Sequence, residues 1–224
     1  MREPDPEHET AIDGRLRGER LLRQHDRVAW VRGDDRGAEL DATDLATDQG
    51  ERGEPASFAG ETLAGHATLD VQGATPVPIL VAALGPKMLE LTGQVADGTV
   101  TWMTGPVTIA SHIVPTIGAA ASGAGRPAPR VVVGLPVCVT SDVAAARERA
   151  ARNFQMYGQL PSYRAMLDRE GANGPADVAV VGDEDGVRTQ LQHLAGVGAT
   201  DFLANIFGSG EERTRTWALL RTLT

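Results

Sequence analysis

The sequence predicts an α/β fold with a parallel sheet, and two observations support this prediction. Apolar runs of strand length alternate with amphipathic segments of helix length from residue 76 onward. Glycine, proline, serine and aspartate stand at the junctions between them. A strand–helix–strand alternation joins parallel strands through right-handed crossovers. About four such βα units can be read, whereas a closed (β/α)8 TIM barrel has eight units in about 250 residues. The fold class is therefore predicted to be a partial barrel.

The strands follow from their apolar content. The run PVPILVAAL follows two prolines and is apolar throughout, as a strand buried on both faces is. An earlier stretch, SFAGETLAGHATLDV, alternates around two glycines and predicts a short β-hairpin or an extended excursion. The predicted parallel strands are 76–84, 98–104, 130–140 and 200–207.

The helices follow from their start signals and their apolar spacing. Pro86 suits the first position of a helix, and apolar side chains follow it at helical spacing. Ser141 or Asp142 is expected to cap a later helix, and Asp183 another. The predicted helices begin at Pro86, at Pro106, after Asp142, at Pro161, after Asp183 and at Gly210.

Charge divides the chain into two predicted regions. The chain has 21 basic and 30 acidic residues, and 24 of these charged residues lie within residues 1–54. Such a composition buries too little apolar surface to offset the entropy of ordering. We therefore expect a charged, disordered segment over 1–54 and a folded domain over 55–224.

Composition also limits the partners and the compartment. The net charge of −9 disfavours nucleic acid and anionic membranes, which select basic surfaces. Cys138 is the single cysteine and lies in an apolar run, which favours a buried structural thiol in a reducing compartment. The first residues have neither the basic start nor the apolar stretch of a signal peptide. A cytoplasmic protein is the expectation.

The segment Leu84-Gly85-Pro86-Lys87 is the first candidate binding site. It stands between a predicted buried strand and a helix, and ligands of parallel βα folds bind at such carboxyl-terminal strand ends. Gly85 allows close backbone approach, and the amides of a helix N-terminus suit a phosphate. An ordinary tight turn with a solvated Lys87 is the alternative. The next strand end adds Thr101, Thr104 and Gly105.

Other chemistry finds little support in the sequence. The five histidines show no metal-ligand spacing, so no metal site is predicted. A G-x-S-x-G nucleophile elbow is absent from the sequence. His112 and His193 are expected in packing or surface roles. The segment with Tyr157, Tyr163 and Arg164 is either a lid that shields a hydride-transfer site or a packed connection.

Three stretches together resemble a known family. They are PVPILVAALGPKMLELTGQVADGTVTWMTG with SFAGE upstream, GLPVCVTSDVAAARERAARNFQMYGQLPSY, and VGDEDGVRTQLQHLAGVGATDFLANIFG. Over roughly residues 52–210 the chain resembles the luciferase-like flavin or deazaflavin oxidoreductases, most closely the branch that uses coenzyme F420. Nothing in 1–54 resembles the amino-terminal half of that family.

The resemblance implies a cofactor site and a substrate site. The phosphate-bearing tail of F420, or of FMN as the alternative, would bind Ala82, Ala83, Leu84, Gly85, Pro86 and Lys87, with Thr101, Thr104 and Gly105 nearby. Substrate contacts would come from the strand ends near Leu135 and from Asn205, Phe207 and Gly208. No catalytic residue is identified.

The sequence leaves two functions open. The resemblance implies an enzyme that transfers hydride between a reduced deazaflavin or flavin and a small organic substrate, with the use of oxygen on paired donors undecided. The alternative is a catalytically incomplete fragment that binds a phosphorylated ligand or packs with a partner chain. Exposed strand edges would favour a homo-oligomer or a complementing chain in either case.

Overall fold

The structure is a computed structural model that describes residues 14–16, 19–21, 28–29, 55–59, 64–67 and 78–223. The strands are β1 (Gly14–Leu16), β2 (Glu19–Leu21), β3 (Val28–Ala29), β4 (Ala56–Ala59), β5 (Ala64–Ala67), β6 (Leu80–Ala82), β7 (Gly98–Trp102), β8 (Arg130–Val139), β9 (Val180–Gly182) and β10 (Asp201–Ile206).

The helices alternate with the strands from β6 onward, as predicted. They are α1 (Pro86–Val95), α2 (Pro106–Thr108), α3 (Val114–Gly123), α4 (Val143–Asn153), α5 (Pro161–Glu170), α6 (Pro175–Val178), α7 (Glu184–Gly196) and α8 (Gly210–Thr222). A π-helical turn (Ile109–Ile113) makes α2 and α3 continuous, and a 3-10 turn (Gln155–Gly158) follows α4.

The chain divides into two compact units. The larger unit takes its residues from Met1–His25, Thr101–Val114 and Val131–Thr224. The smaller unit takes its residues from Asp26–Val100 and Pro115–Arg130.

The smaller unit contains parallel strands and a separate hairpin. Strand β6 pairs in parallel with β3 on one side and with β7 on the other, where Leu80 is opposite Gly98. Strands β4 and β5 pair antiparallel, which confirms the predicted hairpin. Helix α1 buries Leu89, Thr92 and Gly93. A Cβ atom on Gly93 would lie 2.7 Å from Cβ of Ala120, so this glycine allows α1 to pack closely against α3.

The larger unit is arranged around β8, whose residues 131–139 are all buried. Strand β8 pairs in parallel with β10 and with β9. On its other side β10 pairs in parallel with β2, and β2 pairs antiparallel with β1. Because both faces of β8 are covered, its sequence is apolar without alternation.

Strand β9 corrects the count of βα units. The sequence predicted about four units, whereas residues 78–223 contain five strands, β6 to β10, each followed by a helix. The missed strand has only three residues and lies between two helices. Its side chains are all buried, so tertiary packing rather than a visible strand-length pattern defines it.

Local helix signals proved more informative. Asp142 and Asp183 cap α4 and α7, since their carboxylates accept hydrogen bonds from Ala145 N–H and Gly186 N–H at 3.0 and 2.8 Å.

The short strands β1, β2 and β3 fall within the segment 1–54. The rest of that segment lies outside the described residues, so its predicted disorder, and the domain boundary at residue 55, stay predictions.

Candidate functional site

The loop after β6 leads directly into the N-terminus of α1. Gly85 is the N-cap residue of α1 in extended conformation and Pro86 is the first helical residue. Ala83 is buried, whereas Gly85, Pro86 and Lys87 are exposed. Gly85 provides no side-chain cap, and the first turn of α1 contains no acidic residue. No atom lies within 4 Å of the position that a Cβ atom on Gly85 would take, so the space beside this backbone is open.

Thr99 of β7 fixes the shape of this loop. Its hydroxyl group donates a hydrogen bond to the carbonyl oxygen of Val81 at 2.9 Å and accepts one from Ala83 N–H at 3.3 Å. The carbonyl oxygen of Ala83 also lies 3.3 Å from this hydroxyl. Sequence analysis missed Thr99 because a threonine in a strand carries no local sign of its partners. A buried hydroxyl with several backbone partners holds those atoms in place.

The loop after β7, in the larger unit, is buried and strained. Met103 adopts a left-handed conformation with φ of 54°, and its side chain is fully buried. Its N–H donates to the carbonyl oxygen of Gly134 at 3.2 Å. Non-glycine residues in this conformation cost about 1–3 kcal/mol and persist where the surroundings determine them. The loop that carries Thr104 and Gly105 is therefore held in one conformation.

The predicted hydroxyl groups of this loop bond within the larger unit. Thr101 and Thr104 are both buried. The Thr101 hydroxyl donates to the carbonyl oxygen of Val132 at 3.4 Å, and the Thr104 hydroxyl to that of Trp102 at 3.2 Å. The predicted site residues thus divide between the two units: 82–87 belong to the smaller unit, and Thr101, Thr104 and Gly105 to the larger.

A carboxylate lies at the N-terminus of α2. Glu170, the last residue of α5, accepts hydrogen bonds from Val107 N–H at 3.1 Å and from Thr108 N–H at 2.7 Å. A Cβ atom on Gly105 would lie 2.5 Å from Oε1 of Glu170, so a larger residue at this position would have to displace the carboxylate. No sequence pattern indicated these two hydrogen bonds, because Glu170 is 63 positions from Val107 and 62 positions from Thr108 along the chain.

A second polar cluster lies where β8 and β10 end. Arg149 of α4 donates to the Glu212 carboxylate at 2.6 Å and to the Cys138 sulfur at 3.7 Å. Burial raises the pKa of Glu212, but hydrogen bonds from Thr140 and Arg149 outweigh it and leave that pKa below its usual value. Burial, reinforced by the nearby Glu212, raises the pKa of the Cys138 thiol. Cys138 is therefore a buried structural thiol, as the sequence predicted.

The residues that the resemblance assigns to substrate differ in exposure. Leu135 and Gly208 are buried, Phe207 is half-buried and Asn205 is exposed. The ring of Phe207 packs edge-on against Phe154, at 5.8 Å between centroids. The ring centroid of Tyr157 lies 5.7 Å from that of Trp102 and 5.1 Å from that of Tyr163, and both ring pairs are also edge-on. The segment after α4 is therefore packed by aromatic rings within the larger unit, and its role as a lid stays a prediction.

The Ala-Asp-Gly stretch that contributes to the resemblance has a structural role. Asp97 stands immediately before β7, at the end of the strand opposite to the candidate binding loop. Its carboxylate accepts hydrogen bonds from Ile79 N–H at 2.8 Å and from Arg126 at 3.1 Å. Its own N–H donates to the carbonyl oxygen of Ile79. Residues at the amino-terminal end of such strands support stability rather than binding.

Neither a metal-binding group of side chains nor a membrane-spanning helix is present within the described ranges. Among those residues no three His, Cys, Asp or Glu side chains are grouped to hold a metal ion. In the same part of the chain no helix is long and apolar enough to cross a membrane. His112 is buried in the π-helical turn and His193 is exposed on α7.

The arrangement of strands and loops is typical of one class of protein. Parallel strands end in glycine-containing loops that lead into helices, as they do in βα folds that bind their ligands at the carboxyl-terminal strand ends. Residues 32–211 match the family described as luciferase-like monooxygenase. The chain belongs to this family, and the family resemblance read from the sequence is confirmed. The match begins 20 residues before the start of the resemblance that was predicted at residue 52, so the family likeness extends further toward the amino terminus than predicted.

Individual relatives agree with this assignment. Over 107 residues, the chain is 36% identical to 5,10-methylenetetrahydromethanopterin reductase of Methanolobus tindarius. The matched region covers 47% of this chain and 32% of that protein. The chain thus spans about a third of the length of this curated relative.

Solved structures show the same fold. The coenzyme F420 dependent tetrahydromethanopterin reductase from Methanopyrus kandleri matches with a TM-score of 0.64 at 20% identity, over 81% of this chain and 60% of that one. The oxygenating constituent of 3,6-diketocamphane monooxygenase from Pseudomonas putida, in complex with FMN, matches with a TM-score of 0.56 at 13% identity, over 78% and 57%. The predicted fold class, a partial luciferase-like (β/α) barrel, is confirmed.

Proposed function

We propose that this chain functions as a luciferase-like oxidoreductase that uses coenzyme F420, with FMN as the alternative cofactor. In this proposal, residues 82–87 anchor the phosphate group of the cofactor. When bound, the coenzyme supplies the hydride chemistry on a small organic substrate. The observation that carries the proposal is the N-terminus of α1, which has a glycine N-cap without a side-chain cap and open space beside Gly85. Two of the solved structures named above, one described as coenzyme F420 dependent and one in complex with FMN, support both cofactors.

The residues of the loop divide the work of binding. The N–H groups of the first turn of α1 present positive partial charge, which favours an anion. Gly85 leaves room for phosphate oxygens beside the backbone. Thr99 keeps Ala83 in place through its hydroxyl group. Lys87 adds a positive side chain on the exposed surface of the first turn.

Binding experiments test the proposal with a matched pair of variants. The chain is titrated with F420 and then with FMN, and ligand fluorescence is followed. Gly85→Asp places a carboxylate beside the anion site and is expected to weaken binding at least tenfold, which corresponds to about 1.4 kcal/mol. Gly174→Asp is the control, because Gly174 is also the N-cap of a helix that begins with proline and also has open space beside it.

The outcome separates the two functions left open by the sequence. Saturable binding that Gly85→Asp weakens and Gly174→Asp leaves unchanged supports the cofactor site. Absence of binding to a folded sample contradicts it and favours the catalytically incomplete alternative. Size-exclusion chromatography of the same samples tests the predicted homo-oligomer or complementing chain, and a monodisperse monomer would contradict that prediction.

A further inference from the structure

Five aromatic side chains form one connected group within the larger unit. We call it the aromatic cluster, and its members are Trp102, Phe154, Tyr157, Tyr163 and Phe207. The chain has three tryptophans, two tyrosines and four phenylalanines, so more than half of its aromatic residues are gathered here. Trp102 is the last residue of β7, and Phe207 directly follows β10. The cluster therefore lies at carboxyl-terminal strand ends, where βα folds bind their ligands.

Every side chain of the aromatic cluster is partly exposed. Phe202, which lies earlier in β10, is buried in the core by contrast. Met156 stands between two members of the cluster in sequence and is 61% exposed, so it extends the apolar surface. An aromatic surface that remains open to solvent is typical of a binding site, whereas aromatic rings that only fill a core are covered.

Two hydrogen-bond donors in and beside the aromatic cluster are buried without an acceptor. They are Nε1 of Trp102 and Nε of Arg149, and among the described residues only one further buried side-chain atom, in Thr92, shares this property. Arg149 borders the cluster, since its guanidinium carbon lies 5.7 Å from the centroid of the Phe207 ring. Buried polar groups normally have a hydrogen-bond partner, and each exception requires an explanation. Two unpaired donors at one place indicate a ligand that carries acceptor atoms.

The charges around Arg149 favour a neutral acceptor. Its guanidinium group donates to the Glu212 carboxylate at 2.6 Å, so its positive charge is already balanced. The indole of Trp102 is uncharged and can only donate. A carboxylate on the ligand would be repelled by Glu212. A carbonyl oxygen provides an acceptor without adding a charge.

The 3-10 turn that carries Tyr157 gives a ligand a route to the covered indole nitrogen. Tyr157 contacts Trp102 edge-on, at 5.7 Å between centroids. The backbone of this turn bonds locally, from Tyr157 N–H to the carbonyl oxygen of Phe154 and from Gln159 N–H to that of Met156, each at 3.0 Å. A turn whose hydrogen bonds are local can move while the sheet keeps its own hydrogen bonds.

We propose that the aromatic cluster is the substrate-binding surface of this oxidoreductase, and that the substrate is a neutral, planar aromatic compound whose carbonyl oxygen accepts the indole N–H of Trp102. This inference rests on the proposed function, because the hydride chemistry of that function makes the bound compound a substrate. It makes Trp102 a specificity-determining residue. Four ring pairs of the cluster meet edge-on, at interplanar angles between 73° and 86°, and a further planar ring can extend this arrangement.

NMR of the full chain with three small probes tests the inference. Acetophenone has a planar ring and a carbonyl oxygen, 1-cyclohexylethanone has the same carbonyl on a saturated ring, and toluene has the planar ring alone. The chain has three tryptophans and hence three indole N–H signals, and resonance assignment identifies that of Trp102. This signal is expected to shift saturably with acetophenone. The dissociation constants of the other two probes are expected to be at least about tenfold higher, since each lacks one of the two features.

Trp217 provides the matched control. It is partly exposed on α8 but lies outside the aromatic cluster, so its indole signal is expected to stay unmoved with every probe. Trp102→Phe keeps an aromatic ring and removes the donor. It is expected to weaken acetophenone binding about tenfold and to leave toluene binding unchanged, as measured by ligand-detected NMR. Trp217→Phe is expected to change neither.

The results separate this inference from the proposed function. An unmoved Trp102 signal in the folded chain, equal affinities for the three probes, or equal shifts of Trp102 and Trp217 would overturn the inference. A folded Trp102→Phe that keeps its affinity for acetophenone would overturn it as well. The proposed function fails through a different result, in which neither F420 nor FMN changes its fluorescence when the chain is added. Selective acetophenone binding together with that result would overturn the substrate role and keep the aromatic binding site.

Discussion

The hydroxyl group of Thr99 lies 2.9 Å from the carbonyl oxygen of Val81, which joins β7 to the last residues before the candidate phosphate loop. Thr99 is fully buried, and the same hydroxyl accepts the N–H of Ala83. The side chain thus gives backbone groups at the end of β6 a buried hydrogen-bonding partner. This hydroxyl group therefore supports the start of the loop at 82–87.

Thr99→Val is expected to destabilise the fold and to weaken cofactor binding together. Valine keeps the shape of threonine but leaves the buried backbone groups of Val81 and Ala83 without their partner, which costs about 1–3 kcal/mol. Urea denaturation measures the free energy of unfolding, and fluorescence titration measures binding. Thr214→Val is the control, because Thr214 is exposed on α8 and its change is expected to stay within about 0.5 kcal/mol. Equal stabilities of the two variants would show that the Thr99 hydroxyl does not support the loop.

Gly98 is expected to tolerate no side chain. A Cβ atom there would lie 2.8 Å from both N and Cβ of Arg130 and closer still to the Arg130 carbonyl oxygen. Because these are mainly backbone atoms, they cannot move aside easily, and Gly98→Ala is expected to destabilise the chain by about 1–3 kcal/mol. Thermal unfolding measures this loss.

Gly118 provides the opposite case within the same unit. It lies inside α3, and no atom is within 4 Å of the position that its Cβ would take. Gly118→Ala is therefore expected to stabilise the helix by up to about 1 kcal/mol. If both variants were neutral, the close approach at Gly98 would not exist in solution.

The features that the sequence predicted well are those with local causes. The caps at Asp142 and Asp183 and the start of α1 at Pro86 depend on residues next to one another. The glycine at position 158 predicts the end of the helix that follows Asp142, but α4 ends at Asn153, and the rings of Phe154 and Tyr157 after it pack edge-on against Trp102. That packing is set by residues distant in sequence, which local patterns do not contain.

The candidate site was predictable in part for the same reason. The glycine and proline of the loop after β6 are a local signal of a helix start beside a ligand site. Thr99 and Glu170 gave no such signal. The role of Thr99 depends on the register between β6 and β7, and that of Glu170 on a contact between segments more than 60 residues apart. Both roles arise only when the chain has folded.

Cys138 is expected to be unreactive in the folded chain. It is fully buried, and burial raises the pKa of its thiol, so both access and thiolate are reduced. Reaction with Ellman's reagent at pH 8 is expected to be at least about a hundredfold slower than in the same chain unfolded in urea. The control carries Ser141→Cys, which places a thiol at an exposed position, in a Cys138→Ala background. Rapid reaction of Cys138 itself would show that the region around β8 opens readily.

The ion pair between Glu184 and Arg215 is expected to make stability depend on pH. Arg215 donates two hydrogen bonds of 2.8 Å to the Glu184 carboxylate, and this contact lowers the pKa of Glu184 to about 2. A carboxylate whose pKa is lowered by folding stabilises the protein above its unfolded-state pKa of about 4.3 and loses that contribution as the pH falls toward 2. Glu184 is 44% exposed, so solvent screening limits the contribution to about 1 kcal/mol or less.

Glu184→Gln tests this dependence against a matched variant. The free energy of unfolding of the unmodified chain is expected to exceed that of Glu184→Gln at pH 7, and the difference is expected to shrink steadily between pH 4.5 and pH 2. Glu148→Gln is the control, because its carboxylate lies 3.9 Å from Arg152 and both side chains are at least 70% exposed. Its effect is expected to stay within about 0.5 kcal/mol at every pH, since exposed pairs of this kind contribute little. A difference for Glu184→Gln that stays constant down to pH 2 would mean that the carboxylate contributes through its shape and not through its charge.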